Sequence, residues 1–101
     1  KLPQIISQRR RNAETFPLKA QKEIGESSWY GFALLSDDIQ ELKACLDAKD
    51  VEYRPVISGN FTRHPAIKFY DHVSDPLPNA DYVHDHGVMI GNHATPIRWD
   101  L

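Results

Sequence analysis

Residues 29–35, Trp-Tyr-Gly-Phe-Ala-Leu-Leu, constrain this chain more than any other segment. A run that short, apolar on both faces, reads as a β-strand covered on both sides near the centre of a sheet. Gly31 within it predicts a bulge or the close approach of another backbone. The rest of the chain offers partners for such a strand. Ser36 is placed to cap a helix, and Asp37 and Asp38 put negative charge in its first turn. Ile39, Leu42, Cys45 and Leu46 form that helix's apolar stripe, which ends near Lys49. Residues 51–57 read as a second strand with Val51, Tyr53 and Ile57 on one face. Pro55 cannot donate to a ladder, so this strand is an edge or ends early. Residues 87–92 read as a third.

Residues 4–16 read as an amphipathic helix with Ile5, Ile6, Arg9, Ala13 and Phe16 towards one side, and Pro17 stops it. Short helices at 65–70 and 79–86 fill the Pro- and His-rich connection before the last strand. The order gives a small α+β unit, an open sandwich with about three strands, a long N-terminal helix and a helix on the sheet. At 101 residues the chain reads as a single domain, 1–17 a linking helix and 28–93 the core.

Twelve basic residues against 14 acidic ones leave a net charge of −2, which gives no electrostatic case for nucleic acid or an anionic membrane as partner. No apolar run approaches the ~20 residues that span a bilayer. Cys45 is the single cysteine, so no intrachain disulfide forms, and a reducing, cytoplasmic setting is expected. On its helix Cys45 reads as a small buried or half-buried apolar residue rather than a nucleophile.

The chemistry-bearing residues cluster late in the chain. In Gly59-Asn60 and Gly91-Asn92, glycine permits positive φ or close approach, and Asn offers both a donor and an acceptor. Arg54, Arg63 and His64 flank the first pair, and guanidinium groups suit bidentate capture of phosphate or carboxylate. Ordinary turns, and ion pairs with the abundant Asp and Glu, account for the same residues. His84 and His86 stand two apart and diverge on a helix, so no metal site is read there. The glycosylation-like triplet Asn60-Phe61-Thr62 and the run Arg9-Arg10-Arg11 are read as incidental, the latter as a solvated face.

Four segments together resemble the C-terminal domain of the DegT/StrS group of pyridoxal-phosphate (PLP) sugar aminotransferases and dehydratases, enzymes of the aspartate aminotransferase fold type I. They are Trp29-Tyr30-Gly31-Phe32, Gly59-Asn60-Phe61-Thr62-Arg63-His64-Pro65, Leu77-Pro78-Asn79-Ala80-Asp81 and Gly87-Val88-Met89-Ile90-Gly91-Asn92-His93. The resemblance implies a parent enzyme acting on a nucleotide-linked keto sugar, with an amino donor. It implies a cytoplasmic homodimer in a bacterium, at work in lipopolysaccharide or other surface-polysaccharide biosynthesis. It also places PLP, and the Lys or (in 3-dehydratases) His beside it, in a large N-terminal domain. This chain then carries no catalytic residue, and alone it has no turnover. It forms one wall of the cleft, with Arg54, Asn60, Arg63, His64 and His93 as the residues facing substrate or the dimer partner's active site. Gly91-Asn92-His93 looks closer to the aminotransferases, and His64 stands where dehydratase-like relatives often carry Gln. Aminotransferase is therefore the expected activity and 3-dehydratase the alternative. A non-catalytic binding or regulatory module is the reading from another class.

Overall fold

β1 (Gly31–Leu35) pairs antiparallel with β3 (Gly87–Gly91) along its whole length, Gly31 opposite Gly91 and Leu35 opposite Gly87. β2 (Tyr53–Arg54) pairs antiparallel with the other side of β3, Tyr53 opposite Ile90, so the sheet order is β1-β3-β2. The computed structural model describes all 101 residues, and α1 (Leu2–Glu14), α2 (Ile39–Ala48) and α3 (Pro78–His86) complete the regular elements. Two 3-10 turns, Phe61–Arg63 and Pro65–Phe69, shape the connection before α3. This is the expected α+β domain.

Several local expectations change. The apolar run is not a central strand: β3 is central and β1 lies at the edge. Phe32 and Leu34 are buried on one face, but Tyr30 is 77% and Leu35 52% exposed. The strand also starts late, because Trp29 holds a left-handed backbone (φ 53°) that a bulky residue adopts only when its surroundings compel it. β2 shrinks to two residues, since Pro55 has no N–H to give and Ile57, also at positive φ, turns outward to 83% exposure. The cap of α2 is Asp38, whose carboxylate accepts from the Glu41 N–H at 3.1 Å. Ser36 shapes the preceding turn instead, its hydroxyl accepting from the Asp38 N–H at 3.1 Å. Cys45 is exposed. Leu46 is the residue α2 buries, and the next position on a helix lies about 100° around the axis, so Cys45 falls on the flank.

The core is five side chains, Phe32, Leu34, Leu46, Val88 and Ile90, covered by half-buried neighbours from α1, α2, β2, the 16–29 segment and the C-terminal tail. Phe16, just past α1, stacks on Phe32 at 4.2 Å, and Trp99 meets both rings edge-on. Apolar packing alone does not attach α1, whose one fully buried residue is polar. The Asn12 amide nitrogen donates to Asn92 Oδ1 (3.0 Å) and to the carbonyls of His93 (3.1 Å) and Thr95 (3.0 Å). Its oxygen accepts from Gln8 Nε2 and from the Ile97 N–H. Asn92, at the end of β3, sends its own amide nitrogen to the carbonyls of Arg9 (3.0 Å) and Trp29 (2.9 Å). Two buried amides thus join α1, the entry to β1, the end of β3 and the C-terminal tail.

The Gly31–Gly91 pair provides a matched test. A Cβ on Gly31 would stand 2.7 Å from the Ile90 carbonyl oxygen, whereas one on Gly91 meets nothing within 4 Å. Gly31→Ala is expected to cost about 1–3 kcal/mol by forcing the strands apart. Gly91→Ala should cost nothing measurable. Urea unfolding of the two variants checks this.

Candidate functional site

A depression of about 990 Å³ opens on one side of the molecule. It lies between α1, the end of β3, the segment around β2 and the C-terminal tail, and Arg9, Arg54, Met89, His93, Arg98 and Trp99 are among its lining residues. Its charge is mixed. Arg9, Lys49, Arg54 and Arg98 face Asp50, Glu52 and Asp100, and two of the cations are neutralised in place. Lys49 pairs with Asp100 and Arg54 with Glu52, each at 3.5 Å. These pairs are largely exposed and contribute little to stability. Beside Arg54, partial burial and then the Asp47 carboxylate raise the Tyr53 hydroxyl pKa, and that hydroxyl donates to Asp47 at 3.3 Å.

Arg9 differs from the other cations. Its carbonyl is held by Asn92, and its Nε is the one buried side-chain nitrogen or oxygen in the chain without a hydrogen-bond partner. Buried donors are nearly always paired, and this Nε is closed to solvent, so Arg9 meets the cleft through the rest of its half-buried side chain. In sequence Arg9 belongs to a run that reads as a solvated basic face. Its signal was position: it shares the helix's apolar side with Ile5, Ile6, Ala13 and Phe16.

The sequence candidates divide between two places. Arg54 and His93 line the cleft, and Asn60, Arg63 and His64 do not. Those three belong to a loop that starts at Gly59 (φ 62°) and leans on α3. The Asn60 N–H donates to His84 Nδ1 at 2.9 Å, which places that ring's proton on Nε2. The Asn60 side chain, 4% exposed, donates to Asp81 (2.8 Å) and accepts from the Thr62 N–H and hydroxyl. Arg63 pairs with Asp85 at 3.0 Å and Asp81 at 3.5 Å. His64 accepts from the Ala66 N–H through Nδ1 at 3.2 Å, and its ring stacks on Phe61. Each of these side chains shapes the loop.

No protein-family model matches the chain. A GDP-4-keto-6-deoxy-D-mannose 3-dehydratase from Yersinia pseudotuberculosis is 36% identical over 92% of this chain and 28% of that protein. Among solved structures, GDP-4-keto-6-deoxymannose-3-dehydratase with a trapped PLP–glutamate geminal diamine aligns with a TM-score of 0.84 at 36% identity. That match covers 96% of this chain and 29% of the other. A variant of that enzyme with bound GDP-perosamine aligns with a TM-score of 0.82, also at 36% identity, over 95% and 29%. The chain therefore spans less than a third of the length of these relatives.

Fold and comparisons together define the C-terminal domain of the DegT/StrS group of fold-type-I PLP enzymes. The particular relatives are 3-dehydratases, so it is the alternative activity, and not the aminotransferase, that the comparisons carry. The two features that favoured the aminotransferase have structural duties. Asn92 of Gly91-Asn92-His93 ties α1 to the sheet, and His64 caps a 3-10 turn.

Gly59→Ala would put a Cβ 2.5 Å from His84 Nδ1 on a backbone with φ of 62°. The strain should cost about 1–3 kcal/mol. Amide exchange at Asn60 is expected to accelerate at least ~10-fold as the bond to His84 opens. An unchanged Asn60 amide, followed by NMR, would contradict the assignment.

Proposed function

We propose that this chain is the C-terminal wall of the active-site cleft in a PLP-dependent 3-dehydratase acting on a nucleotide-linked 4-keto-6-deoxy sugar, with GDP as the nucleotide. The observation that carries the proposal is agreement in sequence and fold over nearly the whole chain with 3-dehydratases of GDP-linked sugars. One of those matched structures holds GDP-perosamine and another a PLP–glutamate adduct, which supports a GDP-sugar substrate and glutamate as amino donor. In this reading the parent is a cytoplasmic homodimer that makes a deoxysugar for a bacterial surface polysaccharide.

The residues present do not form a seat for PLP. Lys49 is the one lysine on the cleft wall, and its ammonium is paired with Asp100. The cofactor, an electron sink for breaking bonds beside the sugar's carbonyl, belongs to the remainder of the parent. What this chain contributes is binding and orientation. Arg9 and Arg98, neither in an ion pair, offer guanidinium donors to phosphate oxygens, and Arg54 adds a third once drawn from Glu52. Trp99 and Met89 give an apolar surface that excludes water beneath them, and His93 stands at the rim as a further donor or acceptor. The 59–64 loop is a second surface towards the substrate or the dimer partner, with Arg63 and His64 exposed on it and the buried Asn60 fastening it to α3.

Incubating the parent enzyme with PLP, glutamate and GDP-4-keto-6-deoxymannose, and weighing the sugar product, tests the proposal. Loss of the C3 oxygen is the expected result. Gain of nitrogen at C4 would mean the aminotransferase, and an unchanged sugar with no bound PLP would overturn the enzyme reading. Arg54→Ala is expected to raise KM for the GDP-sugar several-fold with a smaller change in kcat, as for a group that binds ground and transition states alike.

A further inference from the structure

β1 has a long side that the sheet leaves open. Its ladder to β3 uses the even-numbered residues: the Tyr30 carbonyl accepts from the Asn92 N–H, and the Ser36 N–H donates to the His86 carbonyl. In an antiparallel ladder the residues between point the other way, so the N–H and C=O groups of Gly31, Ala33 and Leu35 face outward. No strand lies on that side. Two of those groups are nevertheless bonded, both by one side chain. Gln21 Nε2 donates to the Gly31 carbonyl at 2.9 Å, and the Ala33 N–H donates to Gln21 Oε1 at 2.8 Å.

A primary amide carries the same donor and acceptor as a peptide group, so Gln21 occupies the edge as one residue of a neighbouring strand would. It arrives on a segment without regular structure, residues 16–30. That segment is fastened to α1 further along, where the Arg10 guanidinium donates to the Ser27 carbonyl at 2.9 Å. Gln21 itself is exposed and does not belong to the core. Little of its contribution is therefore packing. Its two bonds fall on the place where an unpaired strand is a hazard.

We propose that Gln21 guards a strand-accepting edge, and that the partner it excludes is β1 of a second copy of this chain. Three observations favour a second copy. Residues 29–35 hold no charge and no proline, the usual devices that stop like edges from joining. Antiparallel pairing centred on Ala33 sets Gly31 of each copy opposite Leu35 of the other, so all the outward groups of both strands find partners. Exposed Tyr30 and Leu35 at the two ends of the strand add apolar surface to such a contact. Gln21 takes the Gly31 carbonyl and the Ala33 N–H that this pairing needs, so guard and partner exclude one another. Because Gln21 is tethered to the same chain, its high effective concentration keeps the edge closed.

The test is light scattering on the full chain over a range of concentrations, with amide exchange at Ala33. Gln21→Ala is expected to double the mass relative to wild type at the higher concentrations while retaining the native circular-dichroism spectrum, with the Ala33 amide protected in the larger species. Adding Ala33→Lys sets like charges directly opposite in this register and should restore the wild-type mass. Gln21→Glu keeps the acceptor for Ala33 but loses the donor to Gly31, and should fall between. A Gln21→Ala protein with wild-type mass overturns the proposal. So does an assembly that Ala33→Lys fails to reverse, since it would not run through the β1 edge.

Discussion

The fold depends on a buried pair of carboxamides, Asn12 on α1 and Asn92 at the end of β3. Their side chains meet at 3.0 Å and then spread to the carbonyls of Arg9, Trp29, His93 and Thr95 and to the N–H groups of His93 and Ile97. A five-residue core offers limited cohesion for a domain of this size. Buried polar networks are specific because leaving any member unpaired is costly. The amide pair therefore fixes one angle and one register of α1 on the sheet, which apolar contact through Phe16 alone would leave loose. It also helps hold the left-handed backbone of Trp29, whose carbonyl accepts from Asn92 while its N–H donates to the Ser27 hydroxyl.

The same pair builds the cleft. Asn92 holds the backbone of Arg9, and Asn12 holds the tail from which Arg98 and Trp99 reach the opposite wall. The Trp99 indole N–H closes the arrangement by donating to the Asn12 carbonyl at 3.1 Å. Guanidinium groups on the two walls are thereby set by a rigid interior rather than by flexible loops. Such preorganisation is what a domain wall needs if it is to receive a charged substrate without reordering. The 59–64 loop is held in shape differently, by leaning on α3 through His84, Asp81 and Asp85.

Much of the architecture was legible because it is written in local chemistry. Pro17 and Pro55 end elements, the Ile39–Leu42–Leu46 stripe faces the core, and Gly31 marks a close approach to Ile90, whereas Gly91 has neither a close neighbour nor a positive φ. What was not legible depends on contacts distant in the chain. An apolar run is the same string whether its strand lies at the centre or the edge, and pairing across about 60 residues decided that β3 took the centre. Asn12 carries no periodic signal, because a polar residue on an amphipathic helix reads as solvent-facing unless its partner 80 residues on is known. The Gly-Asn pairs illustrate the limit at the site. Spacing identified Asn60 and Asn92 as positions where an amide mattered, yet could not tell a ligand's partner from the chain's own. Both are buried and bonded internally. Arg54 and His93, singled out in sequence for their chemistry, line the depression. Arg9 was passed over as part of a basic run, although it shares the helix's apolar side with Ile5, Ile6, Ala13 and Phe16.

A double-mutant cycle on Asn12 and Asn92, read by urea unfolding, tests the central role of this pair most directly. If the two amides act as one unit, Asn12→Ala and Asn92→Ala will each cost about 2–3 kcal/mol by stranding buried carbonyl and N–H groups. The double variant should then fall short of their sum by at least ~1 kcal/mol. Costs that simply add, or single variants within experimental error of wild type, would show that α1 is held by the aromatic contacts and that the amide pair does not organise the fold.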